Sequence, residues 1–226
     1  MVPGVQTGDE TIPSAVLFDL DGTVWDSLSG IVSSLAHALA HVGVPVPSDE
    51  VLASNVGPPL LIMLAHFGVA EERLEEAKDA YRDHYRRVGE FQCEVYPGVA
   101  SLLDDLRAKG IRLATATSKG VDPTRRMLAH FDLERRFDVI AAASMDSSAA
   151  HKVDVIAAAL AELTNDGSST IVIVGDRHFD IDGGAAFGLR TIGVEWGYGS
   201  RAELESAGAH HVATTVDELG RLLVGR

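Results

Sequence analysis

The sequence predicts an α/β protein built on a doubly wound parallel sheet, with an all-helical segment inserted near its start. Three observations carry that prediction. Short apolar runs alternate with helical patterns along most of the 226 residues, the rhythm of parallel strands joined by crossover helices. The runs are continuously apolar or small, as strands covered on both faces are. One interval of about seventy residues, Trp25 to Glu94, shows helical patterns only, although a crossover needs about 10–12 residues.

The first strand is Ala15–Phe18. In the insertion, Leu28, Ile31, Leu35, Leu39 and Val42 recur at helical spacing. Leu60, Leu64 and Phe67 make a shorter apolar face, and Leu74, Ala77, Tyr81, Tyr85 and Val88 a third. Leaving the sheet directly after the first strand places the insertion over the carboxyl edge. Val99, Leu102, Leu103 and Leu106 then share a helix face, with Pro97 and Gly98 before it and Gly110 at its end, where a left-handed residue is wanted. Further strands are expected at Ile111–Ala116, Val139–Ala143, Ile171–Val174, Thr191–Val194 and, more weakly, Val212–Thr214. Val153, Ile156, Leu160 and Leu163 form a helix before the fourth strand. Residues 1–24 and 95–226 thus make the core, residues 25–94 a helical cap, and residues 1–10, with Pro3, Gly4 and Gly8, a loose tail.

Composition narrows the function. Hydrophobic residues make up 46% and charged residues 23%, enough apolar material for a core and against disorder. Lys and Arg number 19 against 33 Asp and Glu, a net charge of −14, which disfavours nucleic acid and anionic membrane surfaces. No apolar run approaches the ~20 residues of a membrane span, and the N-terminus lacks the pattern of a secretion signal. The single cysteine, Cys93, forms no internal disulfide and fits a reducing compartment, so a cytoplasmic location is expected. A phosphorylated ligand would need local positive charge from a metal ion or a few placed lysines.

The strand ends supply candidates for that chemistry. The first strand runs into Asp19-Leu20-Asp21-Gly22-Thr23, and residues i and i+2 of an extended segment face one side. Gly22 permits a sharp exit close to a ligand. The run Ile171–Val174 ends in Gly175-Asp176, with Asp180 four residues on, stacked on Asp176 if both open a helix. Ligands of open α/β sheets bind outside the carboxyl ends of the strands. Carboxylates converging there cost on the order of 4 kcal/mol per pair at 4 Å unless they protonate or share a cation. Hard oxygen donors without His or Cys select Mg²⁺ over zinc. The strand Ile111–Ala116 leads into Thr117-Ser118-Lys119, and Lys152 opens a helix, where a bound anion would offset the dipole it faces.

These motifs, in this order, resemble those of the haloacid dehalogenase superfamily, in its phosphoglycolate-phosphatase-like branch, over nearly all of residues 14–224. The chain looks like actinobacterial members of that branch in particular. Arg177 departs from the small residue many relatives carry there, and Asp182 adds an acid. The resemblance implies a Rossmann-like core with a helical cap and a Mg²⁺-dependent phosphomonoester hydrolase. Its substrate would be a small phosphorylated metabolite such as phosphoglycolate, a sugar phosphate or a nucleotide. It implies Asp19 as nucleophile and Asp21 as acid and base, with Thr117 and Lys152 on the phosphoryl oxygens. Ser118, Lys119 and Gly22 would stand by the substrate. Asp19, the Asp21 backbone carbonyl and Asp176 would hold the metal, with Asp180 ligating directly or through water. A phosphotransferase acting on a protein tyrosine or sugar acceptor is the alternative reading, and a non-catalytic Mg²⁺- or phosphate-responsive module the next. The sequence assigns no oligomeric state.

Overall fold

The computed structural model describes residues 12–143, 151–163 and 170–224; the expected tail over residues 1–10 lies outside them. In chain order, β1 is Ala15–Phe18, β2 Trp25–Asp26, α1 Leu28–His41, α2 Asp49–Ser54, α3 Leu60–His66, α4 Leu74–His84, β3 Glu94–Val95 and α5 Val99–Ala108. Then follow β4 Arg112–Gly120, α6 Val121–His130, β5 Val139–Ala143, α7 Lys152–Leu163, β6 Ile171–Gly175, α8 His178–Ala185, β7 Arg190–Val194, α9 Arg201–Ser206, β8 His211–Ala213 and α10 Val216–Val224.

Six strands form one sheet in the order β5-β4-β1-β6-β7-β8, and every pairing in it is parallel. The strand β1 lies at the centre, between β4 and β6, so residues leaving its carboxyl end stand where the strand order turns back, at the crevice. The sheet is covered on both faces. Val16 and Phe18 pack in a core with Leu103 and Leu106 of α5 and Leu219 and Leu223 of α10. Ala15 and Leu17, pointing the other way, pack with Val155, Ile156, Ala159 and Leu163 of α7. This explains why the strand runs carry no polar alternation.

Two expected helix faces shift in phase. On α7 the buried face is Val155, Ile156, Ala159 and Leu163, and Val153 is exposed. At the end of α4, a π-helical turn over Tyr85–Gly89 follows. Its wider winding buries Tyr85 and Gly89 and turns Val88 outward. The turn is tied to close packing on α1, because a Cβ at Gly30 would run into the Gly89 carbonyl, and one at Gly89 into that of Gly30.

Helices α1 to α4 lie between β2 and β3, which pair antiparallel, Trp25 with Val95 and Asp26 with Glu94. That two-residue ribbon was not expected from the sequence. The strand β4 runs past the expected Ala116 to Gly120, with a register shift against β5 between Thr117 and Gly120. Among the described residues no helix is long and apolar enough to cross a membrane.

Candidate active site

The carboxyl ends of β1, β4 and β6 converge on a cavity of about 300 Å³. Its floor includes Asp19, Asp21, Thr117, Ser118, Lys119, Lys152 and Asp180, and its far wall comes from the insert, with Val56 to Leu60, Met63, Tyr81 and Tyr85. Sequence-predicted residues far apart in the chain therefore meet in one place. Gly22 and Asp176 do not line the cavity; they lie packed together, since a Cβ at Gly22, where φ is +85°, would overlap the Asp176 carboxylate.

Lys152, the first residue of α7, is buried and aims its ammonium into the strand ends. Its Nζ donates to Oδ1 of Asp19 at 2.8 Å and to the Ala116 carbonyl at 2.8 Å, and stands 2.7 Å from Oδ1 of Asp180. Two acceptors and one further carboxylate thus surround the ammonium. Burial pushes the Lys152 pKa down, but Asp180 and Asp19 outweigh it and hold the ammonium charged.

Asp180 does not stack on Asp176 along one helix turn. Asp176 precedes α8, and Asp180 turns inward, its Oδ2 accepting the Arg177 backbone N–H at 3.1 Å. Asp176 is fully buried; its Oδ2 accepts the Tyr198 N–H at 2.7 Å and its Oδ1 the Thr23 hydroxyl at 3.3 Å. Asp19, Asp176 and Asp180 each bring one carboxylate oxygen to within 4.8 Å of the others. Burial raises the Asp19 pKa to about 6, with Asp180 and Asp21 adding to the rise and Lys152 opposing it. Burial also lifts Asp176 well above the carboxylate range, helped by Asp180 and Asp19. One lysine does not neutralise three buried acids, and an all-oxygen donor set of this kind fits a hard divalent cation.

The Asp21 carboxylate stands apart from that group. Its Oδ1 accepts the Trp25 indole N–H at 2.8 Å and the Ser27 hydroxyl, and its Oδ2 lies 2.9 Å from Nζ of Lys119. Burial alone would raise its pKa; Lys119, Ser27 and Trp25 reverse the sign and hold it below the usual value. Lys119 also donates to the Tyr85 hydroxyl at 2.9 Å, so one ammonium joins the floor to the insert. Thr117 is buried, and its Oγ1 accepts the Lys119 backbone N–H at 3.2 Å.

Several contributors were not legible beforehand. The segment Gly197-Tyr198-Gly199 reads as a plain turn, yet Cβ atoms at either glycine would overlap Asp176, and the Tyr198 hydroxyl accepts the Ser27 N–H at 2.8 Å. Arg177 pairs with Glu203 at 2.8 Å and donates to the Val56 carbonyl of the insert. Arg126 holds Glu90, which is buried, through two bonds of 2.7 Å. The only local signals were the two glycines and the departure at Arg177.

Comparison with known proteins agrees with this arrangement. The haloacid dehalogenase-like hydrolase family matches residues 16–194. Tyrosine-protein kinase PtkA of Mycobacterium tuberculosis is 46% identical over 213 residues, 93% of this chain and 72% of that protein. A 5'-nucleotidase of Pseudomonas aeruginosa is 34% identical over 209 residues, covering 92% and 94% of the two chains. The crystal structure of a predicted phosphatase from Clostridium acetobutylicum superposes with a TM-score of 0.87 at 37% identity, over 93% of this chain and 98% of that one. The chain belongs to the haloacid dehalogenase-like hydrolase family, in the company of its phosphatases.

Proposed function

We propose that this enzyme is a Mg²⁺-dependent phosphomonoester hydrolase that passes the phosphoryl group of a small metabolite through Asp19 to water, with the helical insert acting as a cap. The observation that carries the reading is the contrast between two carboxylates at the end of one strand. Asp19 sits in a cluster of buried acids, and Asp21 has its own lysine, indole and hydroxyl. Paired acids in different environments are what a nucleophile and an acid–base partner need.

In this reading Asp21, ionised at rest beside Lys119, first takes a proton from solvent; an Asp19 oxygen then attacks phosphorus in line as the ester P–O bond breaks, and Asp21 gives that proton to the leaving oxygen. A water then attacks the aspartyl-phosphate, Asp21 takes its proton, and Asp19 is freed. Lys152 opposes the burial that favours a protonated Asp19, and Thr117 and Ser118 hold the phosphoryl oxygens at the cavity floor. A divalent cation on Asp19, Asp176, Asp180 and the Asp21 carbonyl supplies the charge that admits a phosphate to a chain of net charge −14. With Lys119 beside it Asp21 rests ionised, the state that the water step requires, so Lys119 governs how readily Asp21 takes up the proton for the first step. Cys93, buried and with its thiol pushed up to about 12 chiefly by burial, suits a reducing cytoplasm.

The 46% identity to a relative named as a tyrosine-protein kinase favours a second reading, in which a protein tyrosine replaces water as acceptor. Phosphate release from a panel of phosphomonoesters, with Mg²⁺ or EDTA and with Asp19→Asn as blank, separates the two. Release that matches ester loss supports hydrolysis. Ester loss without free phosphate supports transfer, and full turnover by Asp19→Asn refutes both.

A further inference from the structure

The insert contributes more than cover to the cavity. Tyr81, Arg82, Tyr85 and Arg86 line it from the end of α4 and the π-helical turn that follows. In this acidic chain the other described arginines from Arg73 to Arg201 are engaged. Nine of them hold carboxylates within 3.2 Å, and Arg112 and Arg190 donate to main-chain carbonyls. Among the described residues the side chains of Arg82 and Arg86 take part in no hydrogen bond or ion pair. Arg221, also unpaired, lies on α10 outside the cavity lining.

Nearby acids leave the pair uncompensated. Both oxygens of Glu90 are taken by Arg126. Asp83 is paired with Arg87, and Glu76 with Arg73; Asp79, which lines a second, outer cavity beside Arg82, makes no ion pair with it. Asp122, the remaining acid on the cavity wall, stands on the α6 side and makes no ion pair with either arginine. Like charges four residues apart repel one another on a helix, and an anion shared between them removes that cost. The catalytic floor already has its own cations, Lys152 and Lys119, both committed to carboxylates.

We propose that Arg82 and Arg86 form a second anion site, so that the preferred substrate is a phosphomonoester carrying a further carboxylate or phosphate at its far end. This deepens the phosphomonoesterase reading and rests on it. The phosphoryl group would lie at Asp19, the body of the molecule against Tyr81, Tyr85 and Met63, and the distal anion between the two guanidinium groups, which suit planar bidentate recognition.

The test measures affinity on the Asp19→Asn protein with Mg²⁺, where turnover is not needed. Two matched pairs of ligands serve, 6-phosphogluconate against glucose 6-phosphate and fructose 1,6-bisphosphate against fructose 6-phosphate. The first reads a distal carboxylate, the second a distal phosphate. We expect the doubly anionic member of at least one pair to bind about tenfold tighter or better, the range of hydrogen bonds to charged groups. Adding Arg82→Gln with Arg86→Gln should bring that ratio to within about twofold, and Arg82→Lys with Arg86→Lys should keep most of it. Both side chains are exposed, so folding is not at stake. A ratio near one in both pairs, or one unchanged by the glutamine variants, overturns the site. If the ratio holds while the unmutated enzyme hydrolyses no ester, the anion site stands and the hydrolase reading falls.

Discussion

Replacing Lys119 by methionine removes a buried charge and keeps the shape of the side chain. The ammonium is 7% exposed and lies 2.9 Å from an Asp21 carboxylate that is 17% exposed. At an effective dielectric of 20 that separation corresponds to about 6 kcal/mol of Coulomb attraction. Desolvation offsets part of it, yet leaving one partner of a buried pair unmatched typically costs about 3–5 kcal/mol. For a chain of this length that is a melting temperature lower by on the order of 10 °C. The pH dependence follows from the sign of the shift. With Lys119 present, the folded Asp21 pKa lies below its ordinary value, so the pair contributes stability above that ordinary value and loses it as pH falls through the folded pKa. In Lys119→Met burial prevails, Asp21 takes up a proton more readily, and the deficit is full at neutral pH and closes toward pH 4. Urea denaturation in EDTA at several pH values measures this. Asp21→Asn with Lys119→Met completes a double-mutant cycle, with an expected coupling of about 2–3 kcal/mol. A neutral-pH loss under about 1 kcal/mol, a deficit that does not close in acid, or a coupling near zero would refute the reasoning.

Two further outcomes follow from the acid cluster. Burial holds the Asp19 pKa at about 6 and Asp176 well above the carboxylate range, so the metal-free folded chain binds protons more tightly than the unfolded chain. Its stability should therefore fall as pH rises through about 4 to 6, by up to about 3 kcal/mol from Asp19 alone. Mg²⁺ should raise the melting temperature more at neutral pH than at pH 5; equal gains at both would count against this metal site. Gly22→Ala should destabilise the fold by about 2 kcal/mol or more, from a left-handed φ of +85° and overlap with Asp176. Because Asp176 must shift, the Mg²⁺ midpoint in a thermal titration should rise roughly tenfold. An unchanged midpoint would detach Gly22 from the metal site.

What was legible in the sequence was what local pattern determines. Ala15–Phe18 and Ile171–Val174 are apolar throughout because both sheet faces are covered, and their abrupt change to Asp marks the carboxyl edge. Lys152 could be placed at a helix start for the same local reason. Other parts of the site depend on chain segments meeting from a distance. That Lys119 would join Asp21 to Tyr85 required β4 to run on to Gly120 and the π-helical turn to bring Tyr85 inward. The same turn put Val88 out of phase. The collar that Gly197, Tyr198 and Gly199 form around Asp176 joins residues more than twenty positions apart, and the inward turn of Asp180 combines a local tie to the Arg177 N–H with a distant one to Lys152.

The ribbon of Trp25–Asp26 against Glu94–Val95 bears on how such a protein can diversify. The polypeptide leaves the core and returns to it through adjacent, hydrogen-bonded residues, Trp25 beside Val95 and Asp26 beside Glu94. To the parallel sheet, everything between those pairs is a single hairpin of arbitrary size. Whatever is grafted onto that stem leaves the register of β1 with β4 and β6 untouched, and with it the placement of Asp19, Thr117 and Asp176. On the proposed reading, the part of the enzyme that selects substrate could change through a junction two residues wide, once the ties from Lys119 to Tyr85 and from Arg177 to the Val56 carbonyl are remade.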